Sequence, residues 1–266
     1  MSARVDLYDS SYGNYALEVY REIRVESYGE DFGQTSWVTT QESHDIPDLL
    51  ELKAGSAVLE IGCGSGRYAV YLAATCNCRI IGLDLNAEGI HNAKRLAEQK
   101  KLTAQASFQQ CDVSRSLPFA NETFDAIFAN DVLCHVPGRL SLLGEAHRAL
   151  KPGGRVLFSD ALVINGMLSK DEIASRSSIG PYFFLPPGEN ERLIEQAGFA
   201  MLRATDTTEQ AATIAQRWHD ARAKRMSTLA PIEGEANFLG LQRFLMCAHT
   251  LTRERRLLRY LYLAQK

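Results

Sequence analysis

The 266-residue sequence has no apolar run long enough to cross a bilayer, and its N-terminus lacks a charged-then-apolar signal pattern. A membrane partner is therefore not expected, and a cytoplasmic location is. Charge of one sign is also scarce. With 29 basic and 32 acidic side chains the net charge is −3, which argues against the broad positive surface that nucleic acid or an anionic membrane requires. Cysteines are few and badly spaced for chemistry. Cys76 and Cys78 are separated by one residue, which is neither a C-x-x-C zinc clip nor a redox pair. The others, Cys63, Cys111, Cys134 and Cys247, mostly fall in apolar segments, as small buried hydrophobes do, so a reduced chain without metal is expected. No internal repeat, low-complexity tract or Pro/Gly-rich linker divides the chain. Hydrophobic content of 45% and charged content of 23% are those of a globular protein, so a single domain with a sizeable core is expected.

What the chain does have is the stretch Ala57-Val58-Leu59-Glu60-Ile61-Gly62-Cys63-Gly64-Ser65-Gly66. Val58–Ile61 reads as a short buried strand, three glycines follow on alternate positions, and Arg67–Ala73 reads as a helix. A strand, a glycine bend and a helix N-terminus present backbone N–H groups at the carboxyl edge of a sheet, where open α/β sheets bind ligands. The dinucleotide fingerprint G-x-G-x-x-G is not met. Its third glycine position is Arg67, and the third glycine comes one residue early at Gly66. A second strand, 78–83, ends at Asp84, a carboxylate placed to grip two ribose hydroxyls. The pattern therefore points to a nucleoside without a pyrophosphate.

Further segments follow the same rhythm. Residues 87–99 read as a helix, 106–111 as a third strand ending at Asp112, and 123–129 as a fourth ending at Asn130-Asp131. A crossover helix over 140–150, a turn at Lys151-Pro152-Gly153-Gly154 and a fifth strand over 155–160 complete the series. Taken together, the chain resembles the class I S-adenosylmethionine-dependent methyltransferase family. Glu60, Gly62, Gly64 and Gly66 match its first motif, Asp84 its ribose acid, Asp112 an acid that accepts from the adenine amino group, and Asn130-Asp131 its fourth motif. The L-K-P-G-G pattern at 150–154 matches as well. The resemblance implies a Rossmann-like, seven-stranded, mostly parallel sheet with an antiparallel last strand, helices on both faces and a helical cap. It implies S-adenosyl-L-methionine as cofactor, held by Glu60, Gly62, Cys63, Gly64, Gly66, Asp84, Leu85, Asp112, Val113, Asn130 and His135.

Around this core, residues 1–46 are expected to form an N-terminal lid, with one or two helices over 7–26. Residues 47–160 form the cofactor-binding core, preceded by a short helix over 46–52. Residues 161–190 and 208–252 are cap insertions, the latter holding two helices, and 257–264 is the last strand. Ser169 followed by Glu172 is a capping-box start inside the first insertion. The irregular 28–37 stretch is similar to a segment that small-molecule methyltransferases, including the phosphoethanolamine and sarcosine/dimethylglycine types, close over the cofactor. That resemblance assigns Tyr28, Ser36 and Trp37 to the cofactor, although Ser36-Trp37-Val38 stands where that group carries Ser-Gly-Gly. Plain packing of the aromatics onto the sheet is the other reading.

Methyl transfer from a sulfonium needs an aligned acceptor and exclusion of water more than it needs a triad. His135, one turn past the strand end facing the methyl group, is the candidate general base; otherwise it is a capping histidine or a cofactor contact. Asp131 is the second catalytic candidate, holding a cationic amine, or else a helix cap. Trp37, Tyr182, Phe183, Glu189 and His219 are candidate substrate contacts, the aromatics suiting a cationic amine or simply forming cap core. The expected partner is a small-molecule methyl acceptor whose reacting atom (N, O or C) is not written in these residues, and nor is the oligomeric state. Two other readings are a nicotinamide-dependent oxidoreductase and a non-catalytic nucleoside-binding module.

Overall fold

A computed structural model describes residues 5–266; the first four residues of the expected lid lie outside the described part. The sheet is built from β1 (Ala57–Ile61), β2 (Arg79–Asp84), β3 (Ala106–Gln110), β4 (Phe124–Ala129), β5 (Leu150–Ile164), β6 (Ala200–Asp206) and β7 (Leu257–Gln265). Their spatial order is β3-β2-β1-β4-β5-β7-β6. The first five strands pair in parallel, with Leu59 opposite both Ile81 of β2 and Ile127 of β4. β7 runs antiparallel between β5 and β6. The order reverses at β1, so the ends of β1 and β4 diverge and leave the crevice in which open α/β sheets seat ligands.

Helices cover both faces because the inner strands are apolar on both sides. One layer comprises α3 (Thr40–Leu49), α4 (Arg67–Cys76) and α5 (Ala87–Gln99), and it buries Ile46, Leu72 and Ala93 against Val58 and Ile80. The opposite layer comprises α6 (Arg139–Ala149) and α8 (Glu189–Gln196), with Leu142, Ala146 and Ile194 packed on Leu59 and Ile127. A third cluster forms the cap. In it α2 (Glu18–Tyr28), α9 (Thr208–Ala223) and α11 (Glu235–Arg253) bury Ile23, Tyr28, Ile214, Trp218, Leu241 and Phe244. The N-terminal segment and the late insertion thus share one core. No helix among the described residues is long and apolar enough to cross a membrane.

Several boundaries differ from the sequence expectation. The 7–26 region, expected to hold one or two helices, forms two, α1 (Tyr8–Gly13) and α2, the second running on to Tyr28. The helix expected over 46–52 starts six residues earlier, because Thr39 and Glu42 form a capping box, and it carries Pro47 inside. Residues 161–164, expected to open an insertion, continue β5 along β7. Lys151–Gly154 leaves the β4–β5 ladder between the Phe124–Leu150 and Ala126–Arg155 pairs, with Gly153 at φ 78°, so the expected turn is a detour within one strand. The second insertion holds three helices, not two: Gly234 at φ 83° separates α10 (Met226–Glu233) from α11. The capping box at Ser169 and Glu172 does start α7 (Lys170–Arg176).

Candidate active site

The bend after β1 is fastened to the end of β2, since the N–H groups of Gly62 and Cys63 donate to the Leu83 carbonyl at 2.7 and 2.9 Å. Gly62 has φ 77°, and a Cβ there would stand 2.3 Å from Cγ2 of Val132, so only glycine lets the bend meet the turn after β4. Gly64 has φ 52°, and its N–H donates to Oδ2 of Asp84 at 2.8 Å; Oδ1 of Asp84 accepts from the N–H of Asn86, also at 2.8 Å. The loops after β1 and β2 are thereby one unit. Burial raises the Asp84 pKa, against the lowering effect of these N–H donors.

Glu60 lies beneath this unit. Burial, and then the neighbouring Asp84 charge, pushes its pKa up to about 8, and its Oε2 has no hydrogen-bond partner. A cavity of about 570 Å³ opens above. Glu60, Gly62–Gly64, Asp84, Leu85 and Asp112–Ser114 line one end; Asn130, Asp131, His135 and Ile179–Pro181 line the other; Tyr8, Tyr12, Thr35 and Ser36 close the roof. Asp112 accepts from the N–H and hydroxyl of Ser114, which hold its pKa down. Oδ1 of Asn130 is buried and without a partner. Gly66 does not line the cavity; a Cβ there would stand 2.5 Å from Ala93 Cβ, so it seats α5.

At the far end His135 ends a short 3₁₀ turn, Leu133–His135. Its Nδ1 is 3.0 Å from the carbonyl oxygen of Pro181, which accepts but cannot donate, so Nδ1 carries the proton. Nε2 is then the acceptor for the Tyr8 hydroxyl, 3.0 Å away. The ring of Tyr182 lies 4.3 Å from the imidazole, centroid to centroid. Burial lowers the His135 pKa to about 4, helped by the positive charge of Arg176 and opposed by the Pro181 carbonyl. At neutral pH the ring is uncharged, with a lone pair on the nitrogen shared with Tyr8.

Asp131 is placed differently from its expected role. Its backbone sits at φ 57°, and its carboxylate is saturated by protein donors. Oδ1 accepts from Ser159 Oγ and Arg259 Nε, each at 2.9 Å, and Oδ2 accepts from the Trp37 N–H at 2.8 Å. Arg259, fully buried on β7, also donates to Glu42 at 2.5 Å. Asp131 thus ties the 31–38 segment to β4 and β7, and its charge is already paired with Arg259.

Of the three residues assigned to the lid, Ser36 lines the cavity. Tyr28 lies behind it, donating to the Ser36 carbonyl at 2.8 Å, and Trp37 is buried among Trp218 and Phe244. Tyr182 supports His135 from behind, while Phe183 is partly exposed with its carbonyl held by Arg139. Glu189 pairs with Arg192 at the start of α8, on the opposite helix layer, and His219 pairs with Asp220 on α9; neither lines the cavity. Tyr8 and Tyr12 fall in the segment expected to hold one or two helices, with no role assigned to them from sequence. Their spacing of four puts both on one side of α1, but which cavity that side covers is a tertiary matter.

A family model described as a methyltransferase domain matches residues 59–158, which carry this crevice. Phosphoethanolamine N-methyltransferase 1 of Triticum aestivum is 29% identical over 201 residues, covering 74% of this chain and 39% of that protein. Methyltransferase GfsG of Streptomyces halstedii is 31% identical over 174 residues, 63% of this chain and 61% of that one. The chain therefore spans less than two thirds of either relative. The structure of Haemonchus contortus phosphoethanolamine N-methyltransferase 2, in complex with phosphomonomethylethanolamine and S-adenosylhomocysteine, superposes with a TM-score of 0.81 at 21% identity, covering 96% of this chain and 58% of that one. Residues 59–158 are thus a methyltransferase domain, on a fold shared with solved S-adenosylmethionine-dependent methyltransferases.

Proposed function

We propose that this chain moves a methyl group from S-adenosyl-L-methionine to a small-molecule acceptor by in-line displacement. The observation that carries the reading is a single cavity with a nucleoside grip at one end and a neutral, proton-accepting histidine at the other. The residues fit the donor: Asp84 suits the ribose, Asp112 and Val113 the adenine edge, and the unpartnered Glu60 and Asn130 oxygens suit the ammonium of the methionine part. Bound there, the donor supplies an electrophilic methyl group and a neutral leaving group.

The chain's own work is positioning, exclusion of water and proton handling. Alignment of two reactants is worth roughly 7–11 kcal/mol of barrier. Tyr8, Tyr12 and Ser36 roof the cavity, which keeps water away from the reacting groups. Where the acceptor carries a proton at its reacting atom, His135 takes it at Nε2 as the Tyr8 hydroxyl yields that position, a step worth about 10²–10⁴-fold. In this reading residues 1–46 are the lid, 47–160 the core, 161–190 and 208–252 the cap, and a cleft lined by Tyr8, Tyr12 and Ser36 suits a small acceptor better than a macromolecule. The match of residues 59–158 to a methyltransferase domain speaks against the nicotinamide alternative. The non-catalytic alternative is met by assay: calorimetry with S-adenosylhomocysteine, then a screen of amines, phenols and carboxylic acids for its release from S-adenosylmethionine. Binding with release supports the proposal; no binding of either nucleoside by pure protein refutes it.

A further inference from the structure

Five arginines are buried among the described residues. Arg24 pairs with Asp31, Arg139 with Asp160, Arg222 with Glu233, and Arg259 with both Asp131 and Glu42. The fifth, Arg176, ends α7 at 2% exposure with no ion pair, and its Nη1 has no hydrogen-bond partner. A buried charge without a counter-charge is among the costliest features a fold can keep.

Its surroundings are aromatic. The guanidinium carbon lies 4.6 Å from the ring centre of Tyr182, 5.0 Å from Phe244 and 5.3 Å from Trp37. Tyr182 in turn packs on His135, so one ring separates the guanidinium from the imidazole that faces the cavity. The aromatic group that the sequence offers to a cationic amine is therefore already occupied by the protein's own cation. The nearby carboxylates do not answer it. Asp131 is saturated by Ser159, Arg259 and Trp37, and Asp160 by Arg139, Asn190 and the Leu162 N–H.

We propose that the acceptor end of the cavity is selective for an anionic oxygen, so that the methyl acceptor is an acidic hydroxyl (phenol or enol), whose proton His135 takes, or a carboxylate, which needs no base, and not a cationic amine. The field of Arg176 acts through Tyr182 and the His135 ring packed on it, beside the wall formed by Ile179–Pro181, and needs no direct contact with the ligand. The inference rests on the methyltransferase reading and specifies its substrate class.

The test is calorimetric titration of the full chain loaded with S-adenosylhomocysteine, using benzoate, 4-nitrophenolate, benzyl alcohol and benzylamine as probes of similar shape. An anion is expected to bind roughly tenfold or more tightly than the alcohol, the scale of one unit charge two stacked rings away, and the amine most weakly. Arg176→Met should erase the preference and Arg176→Lys should keep it. The proposal is overturned if benzylamine binds as tightly as the anions, if neither anion binds at millimolar concentration, or if the preference survives Arg176→Met. Should Arg176→Met lose the nucleoside as well, the ranking in wild type and Arg176→Lys decides. Preference for benzoate over 4-nitrophenolate, or the reverse, tells a carboxylate from an ionised hydroxyl. Uptake of S-adenosylhomocysteine is measured first, because its failure in wild type would defeat the methyltransferase reading itself.

Discussion

The Tyr8 hydroxyl and Nε2 of His135 meet at 3.0 Å although 127 residues separate them in sequence. The contact joins α1 to the turn after β4 beside the cavity and sets the histidine's tautomer from one side while the Pro181 carbonyl sets it from the other.

If His135 is the base, His135→Asn should lower kcat by about 10²–10⁴-fold while the affinity for S-adenosylhomocysteine changes little. Tyr8→Phe removes one hydrogen bond and should cost about tenfold or less. Steady-state kinetics beside calorimetry checks both, and an unchanged kcat in His135→Asn would end the proposed role.

The pH dependence follows from the direction of the His135 shift. Its pKa falls to about 4, so the base is already deprotonated well below neutrality. On this side kcat/KM should stay level down to about pH 5 and fall only as the pH nears 4. An inflection near the ordinary histidine value, about 6.5, would show that the site is more open to solvent than the geometry implies.

Glu60 makes the opposite prediction for stability. Its folded pKa is raised from 4.5 to about 8, so between those values the folded chain holds a proton that the unfolded chain has lost. Stability from this group is complete below about pH 4.5 and is lost as pH rises through about 8, by an amount on the order of a few kcal/mol. Urea midpoints of ligand-free Glu60→Gln, compared with wild type across that range, should show a flatter pH profile. Parallel profiles would mean that Glu60 is not the group responsible.

The Asp131–Arg259–Glu42 network should be structural first. Arg259→Met leaves two buried carboxylates without their shared cation, and a loss of about 3–5 kcal/mol is expected in chemical denaturation. Asp131→Asn should also loosen the Trp37 N–H contact and speed proteolysis in the 31–38 segment. A variant as stable as wild type would contradict this account.

Much of the cofactor end was legible because it is local. The Gly62–Gly66 bend and Asp84 each follow directly from a strand, so chain order alone puts them at one sheet edge. The acceptor end was harder. His135 was found from its place after β4, but Glu189 and His219 were drawn toward the cavity only by their residue types, and the fold turns them to other surfaces. Trp37 carries a functional-looking position in sequence and a packing role in space.

The sequence by itself determined the strand–bend–helix units, their parallel order and the nucleoside grip, since each depends on residues a few positions apart and on glycine's backbone freedom. Tertiary structure alone decided which face of α1 lines the cavity, which acids Arg259 neutralises, and that Arg176 pairs with none among the described residues. Those pairings join segments tens to hundreds of residues apart. No local pattern encodes which of several buried charges will meet, because burial and proximity arise only when the layers close on one another.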